Sequence, residues 1–173
     1  MYIAGRKKKR FSAKLSAEMT AYLLVRYEHA FFVQPFMEEF GVSLRSADRY
    51  IRDLERCGVV PVLHRDGREY TPGEDAEDPD LSAPLADDVH VRHLRRLIKI
   101  WELHSRPYYD AMYPDGGSHE DITTEPFAVS ITASETLARM TEAGETPTDL
   151  RTVQRDLAVI ADAMEHFRNI LLW

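Results

Sequence analysis

The sequence predicts a mainly α-helical protein of two tandem winged helix-turn-helix units with a short β-hairpin wing, and three observations carry that expectation. The pattern Leu-Arg-Ser/Thr-x-x-Arg-x-Ile/Leu at Leu44–Ile51 returns at Leu150–Leu157, an offset of 106 residues. Each copy follows an N-capping residue, Ser43 or Asp149, and so reads as the start of a helix with arginine on its exposed side. Two β-type runs flank Asp66-Gly67, a two-residue hairpin signal. At 173 residues with 44% hydrophobic composition, the chain can bury one ordinary core or two small ones, and the repeat favours two.

The elements follow in order. Arg6-Lys7-Lys8-Lys9-Arg10 is expected to form an irregular basic arm, which either solubilises the chain or tracks phosphates through Lys7, Lys8 and Lys9. The spacing of Met19, Leu23, Leu24 and Tyr27 predicts a first helix from Ser16 to about Glu28. Pro35 suits the first turn of a second helix, Pro35 to Phe40, closed by Gly41. The Ser43-capped helix runs to Cys57 with Gly58 beyond it, and Val59–His64 and Glu69–Thr71 form the wing.

Residues 1–72 thus make the first unit, with its basic arm. Residues 73–90 read as an acidic linker, which holds Pro, Gly and acid with few large apolar groups. The second unit spans 91–173 and opens with a helix over Val91–His104, on which Leu94, Leu97, Ile98 and Trp101 form one stripe. A long insertion over 105–126 follows, with Tyr108, Tyr109 and Tyr113 expected to fold back on the core. Phe127–Ile131 suggests a short strand, and Thr132-Ala133-Ser134-Glu135 has capping-box form for a helix to about Glu142. The second recognition helix is expected over Leu150–His166, with Phe167–Trp173 as an unpartnered wing strand.

On the first recognition helix, Arg45, Arg49, Arg52 and Arg56 share one face, opposite Ala47, Tyr50, Ile51 and Leu54. Such a stripe either reads guanine edges or pairs within the helix, for which Asp48 with Arg52 and Arg49 with Asp53 are correctly spaced. Ser46 and Asp48 lie beside it near the helix start. Arg65 and Arg68 flank the wing tip, as phosphate contacts or as solubilising charges. The second helix offers Arg151, Thr152, Gln154 and Arg155, but Ala158 and Asp162 stand where the first has Arg52 and Arg56. Its cationic stripe is half as long, so it is expected to add less affinity or to serve packing or dimerisation.

The net charge of −7 hides a split: residues 1–72 carry 13 Lys/Arg against 9 Asp/Glu, whereas residues 73–90 carry 7 acids and no Lys or Arg. A basic front half can still hold phosphate, because more distant charge is screened. The single cysteine, Cys57, excludes an internal disulfide and reads as a buried thiol. Among the seven histidines, His90 and His93 lie near Asp87 and Asp88, but no recognisable ligand spacing appears, so no metal site is expected. No cofactor motif and no nucleophile-base pair stands out, and the protein is not expected to be an enzyme.

The stretch Ile131–Ala138, followed by Arg151-Thr152-Val153-Gln154-Arg155-Asp156-Leu157, resembles the N-terminal winged helix-turn-helix of bacterial WYL-domain transcriptional regulators. The first unit, from Gly41-Val42-Ser43 through Arg49 to Gly58-Val59, is similar to the same module. The resemblance implies a bacterial DNA-binding regulator with Arg45, Ser46, Arg49, Arg151, Thr152 and Arg155 facing DNA. The chain ends where that family continues into a wing and a ligand-sensing WYL domain, so no small-molecule ligand is expected.

The expected protein is therefore a cytoplasmic, nucleoid-associated repressor that binds double-stranded DNA, with a homodimer as one possible assembly and no membrane partner. Two alternatives stand beside it. One is a plasmid or phage replication initiator with paired winged helices, and the other is a protein-interaction adaptor that uses the helix-turn-helix units as scaffold.

Overall fold

The computed structural model describes residues 3–74, 76–77, 89–104, 132–145 and 148–172, with side chains from residue 13 onward. The expected strand at Phe127–Ile131, the insertion over 105–126 and most of the acidic linker lie outside the described residues. Within them are six α-helices and one three-stranded antiparallel sheet.

Helix α1, Ile3–Leu23, passes into a π turn at Leu24–Glu28 that ends with His29 in the left-handed region at φ 53°. The backbone is already helical from Ile3, so the segment expected as an irregular arm continues the first helix instead. Lys, Arg and Ala favour helix, and no proline interrupts the run. From Leu15 to Val25 every side chain of this segment is buried, including Ser16, Glu18 and Thr20. A helix buried on all sides needs neighbours all round, and α1 has them in the helices of both halves.

Strand β1, Phe31–Phe32, was not legible as a two-residue element. Then come α2, Val33–Phe40, and α3, Leu44–Arg56. Gly41 ends α2 at φ 60° with its N–H donating to the Met37 carbonyl, a left-handed cap that glycine adopts without steric cost. Strands β2, Leu63–Asp66, and β3, Glu69–Pro72, form the expected hairpin. Asp66 pairs with Glu69, so the two loop residues are Gly67 and Arg68, one position later than the Asp-Gly signal suggests. Phe31 pairs with Tyr70, which gives the sheet order β1-β3-β2.

Helix α4 spans Val89–His104, α5 spans Ala133–Glu142 and α6 spans Leu150–Leu171. The capping box at Thr132 and Glu135 forms as expected, with both reciprocal bonds present. Where a wing strand is expected over Phe167–Trp173, Phe167–Leu171 form the last turns of α6, and Trp173 lies outside the described residues. Phe167 and Ile170 continue the buried face of Ala163 and Met164, so helical periodicity prevails over the apolar run.

The two halves share one continuous hydrophobic cluster rather than two separate cores. Helix α6 has its most extensive packing against α1, where the Thr20 hydroxyl lies 3.1 Å from the Ala163 carbonyl. Trp101 of α4 donates its indole N–H to the Tyr27 hydroxyl at 3.2 Å, with the rings edge to face. His166 and Asn169 of α6 both reach Glu39 of α2, at 2.8 and 2.9 Å. Cys57 is buried in the same cluster.

Candidate nucleic-acid interface

Helix α3 places its apolar residues Ala47, Tyr50, Ile51 and Leu54 in the core and turns Arg45, Arg49, Arg52 and Arg56 to solvent. The Ser43 hydroxyl accepts the Ser46 N–H at 3.2 Å, fixing the helix start, and Ser46 itself is half-buried beside it. The four arginines then divide. Arg52 holds both oxygens of Glu55, at 2.8 and 2.7 Å, and Arg56 reaches Asp53 at 3.1 Å. Arg45 and Arg49 form no ion pair among the described residues; Arg49 lies over the Tyr50 ring at 5.7 Å. Intrahelical pairing thus takes the C-terminal half of the stripe and leaves the N-terminal half uncommitted. Of the spaced pairs, Asp48 lies 3.9 Å from Arg52, whereas Asp53 turns to Arg56 and Lys14 rather than Arg49.

The β2–β3 hairpin is tied to α3 at two points. The Tyr70 hydroxyl of β3 donates to the Asp48 carboxylate, and the Leu63 N–H of β2 donates to Glu55 at 2.8 Å. Asp48 therefore holds the hairpin, and Arg52 lies over the Tyr70 ring at 5.8 Å. Arg65 and Arg68 are exposed at the hairpin tip, Arg65 donating to the Gly67 carbonyl at 3.1 Å.

Helix α6 repeats the geometry of α3 at its N-terminus. The Asp149 carboxylate accepts the Thr152 N–H at 2.7 Å, which holds this acid below its ordinary pKa. Arg151, Gln154 and Arg155 are exposed, Thr152 is half-buried, and neither arginine has an ion pair among the described residues. Gly144, at φ 74°, closes α5 before the turn as Gly41 closes α2. One difference concerns charge: the α3 cap is a neutral hydroxyl and the α6 cap an anion. An anion at a helix N-terminus opposes the approach of phosphate.

The orientation of α6 is set from beneath. Asp156, almost fully buried, accepts two bonds from Arg96 at 2.5 and 3.1 Å and lies 3.0 Å from His93 Nε2. Lys99 of the same helix α4 reaches Glu145, in the turn before α6, at 2.7 Å. His93 therefore belongs to a structural clamp; Asp87 and Asp88 lie outside the described residues.

A second polar cluster joins α1, α3 and α4. His90 Nε2 is 2.6 Å from Glu18, and Lys14 lies 3.6 Å from Glu18 and 3.4 Å from Asp53. Burial, reinforced by the neighbouring Asp53, pushes the Glu18 carboxyl up to about 8. Asp53, despite its own burial, is held below its usual range by the hydrogen bond from Glu18 and by Lys14 and Arg56.

The arrangement offers two capped helix starts, each with two exposed arginines one turn apart that form no ion pair among the described residues, and a hairpin braced against the first. The positioning residues Glu55, Tyr70, Arg96 and Glu18 carry no signal in the sequence, and His93 stands out there only beside Asp87 and Asp88, because each acts through a partner on another element or in a loop. The side chains of Lys7, Lys8 and Lys9 lie outside the described ones. No helix among the described residues is long and apolar enough to cross a membrane. No protein-family model, curated protein or solved structure matches this chain.

Proposed function

We propose that the protein is a sequence-specific double-stranded-DNA-binding transcriptional regulator, acting as a repressor, whose readers are the N-terminal turns of α3 and α6. The observation that carries this reading is the pair Arg45 and Arg49, repeated as Arg151 and Arg155: exposed, one helical turn apart, just past an N-cap, and without ion pairs among the described residues. Uncommitted guanidiniums in that position suit bidentate bonds to guanine O6 and N7 when a helix N-terminus enters the major groove.

The order α1-β1-α2-α3-β2-β3, with β1 closing the sheet against β3, supports reading the first half as a winged helix. The α5–turn–α6 segment, with its glycine-capped turn, supports a second helix-turn-helix unit. The resemblance to the DNA-binding module of WYL-domain regulators points the same way. Within this reading α3 is the stronger site, because it has a neutral cap, a braced wing and a longer cationic face.

Selection of bound duplexes from a random pool, followed by footprinting, tests it. The expected result is an enriched motif with two protected half-sites separated by about 34 Å of helix axis or a multiple of it. Recovery of no enriched duplex would sink the reading.

A further inference from the structure

We propose that Glu18, Asp53 and His90 form a site for a first-row divalent transition-metal ion such as Zn2+. Each residue offers one ligand atom, and the three atoms lie within 4.8 Å of one another. They come from α1, α3 and α4, so a bound ion would cross-link three helices. One imidazole and two carboxylates suit Zn2+, Mn2+ or Fe2+ rather than the all-oxygen shells of Mg2+ and Ca2+. Three protein ligands leave a position for water, as in open zinc sites.

An independent observation is the state of Glu18. Its side chain is 0% exposed, and no N–H donor among the described residues hydrogen-bonds its Oε1, which has only the neighbouring Asp53 carboxylate with which to share a proton. Such an oxygen is costly to bury and invites a cation. The Lys14 ammonium beside it sits 3.6 Å from Oε1 and 3.4 Å from Asp53 Oδ2, beyond the roughly 2.7–2.9 Å of a charge-assisted hydrogen bond. Lys14 is about one-third exposed on a flexible stem, so it can swing to solvent and vacate the point between the two carboxylates.

The required rearrangement is small. Ligands at about 2.0–2.2 Å from a tetrahedral zinc lie roughly 3.4 Å apart, against 2.6 Å for His90 Nε2 and Glu18 Oε2 here. The neighbouring group of His93 and Asp156 differs in this respect, because Arg96 already saturates its carboxylate.

The inference does not depend on DNA binding, and its test is separate. Chelator-treated full-length protein is titrated with Zn2+ by calorimetry and with Co2+ by visible absorption. One equivalent with a low-symmetry Co2+ spectrum is expected. His90→Gln and Asp53→Asn should each weaken binding about tenfold or more, while His64→Gln on the exposed wing leaves it unchanged. His90 is partly exposed, so that variant should fold, as circular dichroism will show. Absence of saturable binding to the wild-type protein, or equal binding by all variants, would overturn the proposal.

Discussion

Replacing Arg45 and Arg49 together with alanine should remove specific DNA binding and leave the fold intact. Both side chains are exposed and make no ion pair among the described residues, so their loss touches stability only through the Arg49 contact with the Tyr50 ring. That contact is worth about 0.5–1 kcal/mol. Each bidentate arginine–guanine contact is worth about 1–3 kcal/mol of discrimination. Two together give about 2–6 kcal/mol, or roughly 30-fold to 20,000-fold in affinity for a selected site. Replacing Arg52 and Arg56 removes cations already engaged by Glu55 and Asp53, so it should cost under about tenfold. Fluorescence anisotropy on the selected duplex measures both variants, with thermal melts as the control. Wild-type affinity in the Arg45→Ala/Arg49→Ala variant, or a larger loss in the Arg52→Ala/Arg56→Ala variant, would refute the division of the stripe.

Three further outcomes follow from the same geometry. Asp156→Asn leaves Arg96 and His93 facing a neutral amide in the core and should cost about 3 kcal/mol, lowering the melting temperature by roughly 6–12 °C; a shift no larger than that of exposed Asp162→Asn would contradict the clamp. Asp149→Ser keeps an N-cap but removes its charge, so DNA affinity should rise about two- to fivefold if the start of α6 faces phosphate; weaker binding would argue against it. Glu18 is raised from 4.5 to about 8 in the folded chain, so between those values the folded state holds a proton that the unfolded state has lost. With metal chelated, its contribution should therefore fall as pH rises through that window, by at most about 5 kcal/mol. Lys14, Asp53 and His90 face the same group, and Glu18→Gln isolates its share. Identical pH profiles for variant and wild type would exclude it.

What the sequence disclosed was local. Ser43, Asp149, the Thr132 capping box, Gly41 and the Asp66-Gly67 hairpin act within a few residues of themselves, so spacing alone located them. The run Arg6–Arg10 suggests an arm by its charge, whereas the helix propensity of Lys, Arg and Ala carries α1 back to Ile3. The apolar run Ile170-Leu171-Leu172 suggests strand, whereas Phe167 and Ile170 keep the helical period of the buried face. Strand β1 has two residues and no period to detect. The shared core was hidden for a different reason: the repeat argued for two units, whereas the full burial of Ser16, Glu18 and Thr20 becomes intelligible only once α3, α4 and α6 surround α1. The Asp156 clamp and the Glu18 cluster join residues 60 and 72 positions apart, beyond any local pattern.

The salt dependence of binding to a selected duplex tests the central claim most directly. If α3 and α6 hold DNA through arginines and capped helix ends, the logarithm of affinity should fall linearly with the logarithm of salt concentration, by about 0.9 for each phosphate neutralised. A scrambled duplex should bind more weakly at every salt concentration. Binding that is independent of salt, or equal for both duplexes, would contradict the account.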